Sequence, residues 1–373
     1  MARELSTEES EQYSRQITLP EIGITGQLGL KNASVIVVGA GGLGCPVLQY
    51  LAAAGIGNIG IIDGDRVQRS NLPRQTLYSP TDIGKLKVDV VVRLLNQLNP
   101  ESRCKPFPVY LDKDNAGVLV NNFDIVVDCS DNFETRYLLD DICVQLEKPL
   151  VSASVYRHEG QLSVFHLPEP NTGSKYSYRD AFPSPPGNGA LLNCAESGVL
   201  GTFTGIIGTM QAHEVIKIIT SPDKVLAGKL LVVNSTNNSY KTIALKHNTE
   251  TQQKISINPP KNCETMHHEI KKITVDELHQ WMKKNKKFVL IDVREPFEYK
   301  QFNLGGTLIP LQKVAQEYDQ FNNDNPVVVY CKSGARSAHA IDFLQEQHNF
   351  SNLYNLSGGV MAWIQKFGSE VPG

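Results

Sequence analysis

From about Val35 to Ser154 the chain alternates short β-branched runs with longer amphipathic stretches. VIVVG (35–39) is followed by a helical stretch over 43–55, NIGIID (58–63) by one over 84–98, and DIVVDC (124–129) by one over 133–146 before PLVSAS (149–154). Strands alternating with helices at this spacing predict a doubly wound, mostly parallel sheet of the Rossmann-like α/β class. QLSVFHL (161–167) reads as a further strand. Residues 168–197 are rich in Pro and Gly and too irregular for a simple connection, and long loops in compact domains usually serve function. A helix is expected from about Val199 to Thr220. Its Gly201, Gly205 and Gly208 are read as permitting close packing in a soluble core, because His213, Glu214 and Lys217 interrupt any membrane-like run.

The segment from Leu245 to Glu269 is polar, contains Pro259 and Pro260 and lacks periodicity, which suits a linker. A second pattern begins near Ile270. Thr274 and Glu277 make a capping box ahead of VDELHQWMKK, followed by FVLIDVRE, PVVVYCKSGARS, a helix from about Ala335 to Gln347, and LYNLSGGVMAW. The expected organisation is therefore a domain over 1–245, a linker over 246–269, and a smaller α/β domain over 270–373.

Composition narrows the function. The chain has 373 residues, 41% hydrophobic and 20% charged, with a net charge of -3 that gives no electrostatic case for nucleic acid or a membrane surface. The polar, acidic amino terminus MARELSTEESEQYSRQ resembles neither a signal nor a transit peptide, and no apolar run approaches the roughly 20 residues that span a bilayer. A cytoplasmic protein is expected. The seven cysteines, Cys45, Cys104, Cys129, Cys143, Cys194, Cys263 and Cys331, contain no C-x-x-C pair, so they form neither a disulfide framework nor a zinc ribbon. Cys45, Cys104, Cys129 and Cys143 fall in expected helices or strands and read as core fillers.

Gly39, Gly41, Gly42 and Gly44 follow a strand and open a helix, as a loop that binds phosphate on its amides requires. Asp63 ends the next strand, where an acid binds ribose hydroxyls. Taken alone, this pair of features favours a nicotinamide dinucleotide. The next segments favour ATP instead. DGDRVQRSNLPRQ places Asn71, Arg74 and Gln75 after the second strand, and DIGKLKV adds Lys85 and Lys87. Hydride transfer needs no such cluster, whereas a triphosphate and its departing pyrophosphate do. Asp131, just past a strand, is an acid placed to hold Mg²⁺ on those phosphates.

The stretches YSRQI (13–17), GAGGLGCP (39–46), SNLPRQ (70–75), DIGKLKV (82–88), DCSDNFETR (128–136) and NCAESGVLG (193–201) resemble those of the ubiquitin-activating-enzyme-like adenylyltransferases of the MoeB and ThiF type. The resemblance implies that Gly42, Asp63, the loop Ser70, Asn71, Leu72, Pro73 and Arg74, with Lys87, Asp131 and Asn132, bind ATP and Mg²⁺. It further implies that Arg15 reaches as an arginine finger into the other protomer's site, making a homodimer necessary. Many members carry two C-x-x-C pairs for a structural zinc. Here Ser177 and Asp180 stand at the first pair and only Cys263 near the second, so no zinc is expected. A zinc-free subgroup of the family carries the same YRD stretch and a carboxy-terminal rhodanese domain.

Cys331 ends an apolar strand, in a loop closing onto the helix that begins near Ala335. The amides of Lys332, Ser333, Gly334, Ala335 and Arg336, the helix dipole and the charges of Lys332 and Arg336 should lower its thiol pKa and suit the loop to a persulfide. IDVREPFEY, CKSGARS and LSGGVMAW resemble a rhodanese domain, with Asp292 and Arg294 in its first motif and Asn303 and Leu304 in place of the usual His-Ile. In the resembling family the 168–197 segment covers the tail of a carrier protein. Cys194 there can take the acyl group or pair with the incoming sulfur, or can be purely structural. His158, His213 and His339 have no evident partner. The resemblance implies adenylation of the carboxy-terminal glycine of a ubiquitin-like sulfur carrier ending in Gly-Gly. Conversion to a thiocarboxylate by the Cys331 persulfide follows, with sulfur from a donor such as a cysteine desulfurase. A nicotinamide-dependent oxidoreductase and a non-catalytic sulfur-relay scaffold remain the alternatives.

Overall fold

We describe the protein from a computed structural model, whose described residues are 4–184, 198–247, 270–321, 325–348, 350–368 and 371. The chain divides into two compact units, the first up to residue 185 with 192–256, the second including 257–373.

The first unit opens with α1 (Thr7–Gln12), α2 (Ser14–Ile17) and α3 (Gly23–Asn32). A doubly wound core follows: β1 (Ser34–Val38), α4 (Gly44–Ala54), β2 (Asn58–Ile62), α5 (Lys87–Leu98), β3 (Arg103–Phe107), α6 (Ala116–Asn121), β4 (Ile125–Asp128), α7 (Phe133–Gln145) and β5 (Leu150–Tyr156). These five strands run parallel, and β6 (Glu159–Phe165), β7 (Lys229–Asn234) and β8 (Ser239–Ala244) extend the sheet antiparallel, in the order β3-β2-β1-β4-β5-β6-β7-β8. A short α8 (Tyr178–Ala181) and the long α9 (Gly201–Thr220) separate β6 from β7.

Burial on both faces explains the continuous apolar reading of β1. Val35 and Val37 enter one core, with Leu48 and Leu51 of α4 and Ile207 and Val215 of α9, while Ile36 and Val38 enter another with Tyr137 and Leu139 of α7. Each such side chain contributes about 1.5–3 kcal/mol of burial, so Val37→Asp would collapse the sheet centre. In α5, Val88, Val91 and Leu95 are buried at helical spacing and the intervening Asp89 is exposed.

Three sequence expectations are corrected here. Strands β3, β7 and β8 were not read from the sequence: of the two edge strands, β3 contains Pro106 and every residue of β8 is exposed, so the patterning that burial imposes is missing there, while β7 lies between β6 and β8. The helix expected at 84–98 begins at Lys87, because Leu86 pairs with Arg66 in a β-bridge. Of the three α9 glycines, Gly201 and Gly208 do serve close packing. A Cβ at Gly201 would strike the Pro73 carbonyl oxygen and one at Gly208 would lie 2.5 Å from that of Leu43, but Gly205 has open space around it. No described helix is long and apolar enough to cross a membrane.

The second unit is a parallel five-stranded sheet, β9 (Lys271–Ile273), β10 (Val289–Asp292), β11 (Thr307–Leu308), β12 (Val327–Tyr330) and β13 (Leu353–Leu356), ordered β11-β10-β12-β13-β9. Its helices are α10 (Val275–Lys283), α11 (Pro296–Gln301), α12 (Ala335–His348) and α13 (Gly359–Phe367). The Thr274–Glu277 capping box forms at the start of α10 as expected. Alternation along β12 sends Val327, Val329 and Cys331 to one core and Val328 and Tyr330 to the other.

Candidate functional site

In the first unit the strand order reverses between β1 and β4, the place where an open parallel sheet leaves a crevice at its carboxyl end. The glycine loop and the loop after β4 meet there. Gly39 has φ +98°, and a Cβ on it would lie 2.7 Å from the Cys129 carbonyl oxygen, so only glycine fits. A Cβ at Gly42 would come 3.3 Å from Thr204 Oγ1. The loop is fixed from both sides: the buried Tyr78 donates its hydroxyl to the Ala40 carbonyl at 2.8 Å, and the Ala40 amide donates to Asp63 Oδ2 at 2.8 Å. Burial raises the Tyr78 phenol's pKa far above its ordinary range, so it acts only as a neutral donor.

Around Asp63 stands an ionic cluster. Lys87, 4% exposed at the head of α5, places Nζ 2.8 Å from Asp65 Oδ2 and 3.6 Å from Asp63 Oδ2. Burial opposes ionisation of Asp65, but hydrogen bonds from Lys87 and Tyr110 outweigh it and hold its pKa below the usual carboxylate value. Asn71 accepts from the Gln68 amide at 2.9 Å, and Arg74 donates to the Ser70 carbonyl at 3.0 Å, so Ser70, Asn71, Leu72, Pro73 and Arg74 form one short turn. Gln75 is 4% exposed, with its Nε2 3.7 Å from the position a Cβ on Gly41 would take, and its Oε1 has no hydrogen-bond partner among the described residues.

The loop after β4 is anchored from below. Asp128, fully buried, accepts from Ser130 N at 3.0 Å, Ser130 Oγ at 2.6 Å and Ser152 Oγ at 2.8 Å, while Arg136 donates to the Ser130 carbonyl at 2.9 Å. This leaves Asp131 exposed at the tip and Asn132 as the N-cap of α7, accepting from Thr135 N at 2.8 Å. Asp131 is a single accessible carboxylate. Such a group suits Mg²⁺, which takes one or two protein carboxylates and completes its shell with phosphate and water. Arg15 is exposed on α2, whose neighbour Tyr13 is buried and accepts from Asn99 Nδ2 at 2.8 Å. Cys194 and Cys263 lie outside the described residues.

Where a C-x-x-C pair would hold zinc, Ser177 and Asp180 form the capping box of α8 instead. The segment is held further by Asp140, which accepts from Tyr178 N at 2.7 Å and pairs with His166 Nε2 at 2.8 Å. No group of three or more metal-binding side chains occurs among the described residues.

In the second unit, Cys331 is fully buried at the end of β12. Its Sγ accepts from the Gly334 amide at 3.1 Å and lies 3.4 Å from Ser337 Oγ. Asn355 on β13 clamps the loop, accepting from Ser337 Oγ at 2.7 Å and donating to the Gly334 carbonyl at 3.0 Å, and Gly334 takes φ +97°. At the head of α13, Val360 N and Met361 N donate to the Cys331 and Lys332 carbonyls, both at 2.9 Å. Lys332 and Ser333 are exposed, and Ala335 begins α12. The charge expected from Arg336 is already matched: its guanidinium forks onto Glu298 at 2.7 and 2.7 Å. The donor at the sulfur is thus the Gly334 amide, since the single Ser337 hydroxyl proton goes to Asn355 Oδ1. Asp292 and Arg294 make a buried pair at 2.6 Å, and Arg294 also donates to the Phe302 carbonyl at 2.7 Å. Leu304, in place of the usual isoleucine, is buried, and Asn303 accepts from Gly305 N at 2.9 Å.

Cys45, Cys129 and Cys143 are buried with pKa values raised by burial, as core thiols should be; Cys104 is half-buried on the edge strand β3. His158 finds Ser235 Oγ at 3.3 Å and His213 is exposed. No local pattern singled out the roles of Tyr78, Tyr110, Glu298 or Asn355, because each acts across a gap of many residues.

Residues 13–255 match the model of the ThiF family and residues 274–366 that of the rhodanese-like domain. The chain is 38% identical to a probable adenylyltransferase/sulfurtransferase MoeZ of Mycobacterium tuberculosis, over 98% of this chain and 95% of that one. It is 35% identical to the adenylyltransferase and sulfurtransferase MOCS3 of Drosophila virilis, over 99% and 86% respectively. Among solved structures, PaaA aligns with a TM-score of 0.56 at 24% identity, covering 66% of this chain and 76% of that one. E. coli MccB solved with ATP aligns at 0.52 and 23%, covering 64% and 72%. At those identities the two structures speak for the fold alone. With the glycine loop, the Asp63 and Lys87 cluster and the Cys331 loop all inside the matched stretches, the chain belongs to the ThiF family and carries a rhodanese-like domain after it.

Proposed function

We propose that the protein is an adenylyltransferase and sulfurtransferase acting on a ubiquitin-like sulfur carrier that ends in Gly-Gly. A carboxylate is a poor electrophile because its leaving group would be oxide. In the first step a carboxylate oxygen of the carrier's terminal glycine attacks the α-phosphorus of ATP, pyrophosphate leaves, and an acyl-adenylate forms. The glycine-loop amides around Gly42 receive phosphate, Asp63 holds the ribose hydroxyls, and Asn71, Arg74 and Lys87 balance the charge that moves onto pyrophosphate. Asp131 and Asn132 face that charge, Asp131 as the carboxylate for Mg²⁺, which neutralises phosphate oxygens when bound.

In the second step the terminal sulfur of a Cys331 persulfide attacks the acyl carbon and AMP leaves, giving an acyl disulfide. A thiol then attacks the Cys331 sulfur, so the S–S electron pair departs with the carrier as a thiocarboxylate and a new disulfide remains on the enzyme. The family resemblance offers Cys194 for that thiol. The Gly334 amide supports anionic sulfur at Cys331. We further propose a cytoplasmic homodimer, a persulfide donor such as a cysteine desulfurase, and no structural zinc.

The observation that carries the reading is the buried Lys87 ammonium set between Asp63 and Asp65 beside the glycine loop. A nicotinamide enzyme has no use for it. The test is the intact mass of a carrier incubated with ATP and a sulfur source, together with carrier-dependent pyrophosphate exchange. Cys331→Ala should abolish thiocarboxylate and leave exchange intact. Exchange that is absent in the unaltered protein would favour the scaffold, and unchanged product from Cys331→Ala would remove the sulfur-transfer half.

A further inference from the structure

Arg15 is exposed in the short helix α2, yet residues on both sides of it are tied down. Tyr13 is buried, and its hydroxyl oxygen accepts from Asn99 Nδ2 at 2.8 Å. Gln16 Nε2 donates to Gln27 Oε1 and to the Ala54 carbonyl, both at 3.3 Å. Asn99 and Gln27 are fully buried and complete the frame. Asn99 Nδ2 also donates to the Ala52 carbonyl at 2.7 Å, and Gln27 Nε2 to that of Ala54 at 3.0 Å.

The last carbonyls of a helix lack their regular partners. At the end of α4 two of them are taken up by side chains, and the same side chains grip the turn that carries Arg15. Gly55 closes α4 with φ +90°, and a Cβ on it would lie 2.7 Å from Tyr13 Cζ and 2.8 Å from Gln27 Nε2, so the frame packs against bare backbone. Gly44 of the glycine loop opens α4, whose 11 residues carry its far end about 16 Å away. The turn is thus fastened at the end of α4 remote from its own glycine loop, as suits a group that serves a second copy's site.

We infer that Asn99 and Gln27 are positioning residues for Arg15: from the core of one protomer they set where the arginine stands in its partner's site. This rests on the shared site of the proposed homodimer and deepens it.

The test uses full-length Asn99→Leu, which is close in size and cannot hydrogen-bond, and Tyr13→Phe, which keeps the ring and the Asn99–Ala52 bond and loses only the accepting oxygen. Carrier-dependent pyrophosphate exchange should fall roughly 10²-fold in Asn99→Leu, the scale for a group displaced by about 1 Å. In Tyr13→Phe it should fall about fivefold, the scale for one hydrogen bond. ATP dissociation constants should not change, because each chain's own nucleotide site is intact. Ser102→Ala is the control. Its hydroxyl bonds at the same corner go to the Ile56 and Ala52 carbonyls at 2.8 and 3.4 Å and leave α2 alone, so it should keep the parent's exchange.

Mixing shows whether the loss is one of position. With Asp131→Ala, Asn99→Leu should recover to about a quarter of the parent's exchange, because random pairing makes half the dimers mixed, each with one sound site. With Arg15→Ala it should recover nothing. Should Asn99→Leu not fold, Tyr13→Phe carries the same mixing test. Parental exchange in both variants overturns the inference. So does a loss that Arg15→Ala relieves or that Asp131→Ala does not, since the defect then lies in the chain's own site. If Arg15→Ala itself fails to complement Asp131→Ala, the shared site falls and the inference with it, a result separable from the others.

Discussion

Lys87 Nζ sits 2.8 Å from Asp65 and 3.6 Å from Asp63, a buried ammonium shared by two acids that come from the end of another strand. In the absence of phosphates these carboxylates hold the charge that the nucleotide would use. Lys87→Met keeps much of the side-chain volume and removes the charge. Carrier-dependent pyrophosphate exchange should fall about 10²- to 10³-fold, the scale for losing one donor to developing charge. Exchange within threefold of the parent protein would exclude Lys87 from phosphate stabilisation.

Arg15 is exposed while Tyr13, two residues earlier, is fixed in the core. Arg15→Ala should therefore leave the fold intact yet lower adenylation by roughly 10³ to 10⁵, the range for an arginine finger. Mixing it with Asp131→Ala should restore part of the exchange if Arg15 serves a partner's site. With subunit exchange verified, no recovery counts against a shared site.

Asp82 is buried at the end of a short turn, accepting from Ser79 Oγ at 2.6 Å, Lys85 Nζ at 3.0 Å and Arg93 Nη2 at 3.2 Å. The Ser79 hydroxyl, helped by Lys85 and opposed by burial, lowers its pKa to about 2. The folded value lies below an unfolded value of about 3.9. The ionised group therefore stabilises the fold above about pH 4, and that contribution is lost as pH falls toward about 2. Asp82→Asn should cost ~1 kcal/mol at pH 7, discounted because Lys85 and Arg93 are half exposed. Urea unfolding at pH 7, 4 and 3 should show the difference shrinking with acid; a constant difference would rule out the charge.

Ser177 and Asp180 cap α8 where a zinc-binding pair would stand. Elemental analysis of the purified protein is expected to show well under one zinc per chain. A full equivalent surviving dialysis would overturn the expectation.

The sequence by itself determined what local chemistry and burial on two faces impose: the strand–helix alternation, the glycine loop, the capping box at Thr274, and Cys331 at the end of an apolar strand. Gly39 was legible because its conformation has no substitute, and Asp63 because a fixed spacing from the glycine loop announces it. Edge strands β3 and β8 were not, since one side of their backbone pairs with no strand among the described residues and their side chains need not alternate. Only the tertiary structure decided which groups meet. Tyr78 reaches Ala40 across 38 residues, Tyr110 reaches Asp65 across 45, and Glu298 meets Arg336 across 38. Parallel strands bring together loops that are far apart in sequence, so these pairings follow from the order of strands in the sheet. No local pattern of residues encodes that order.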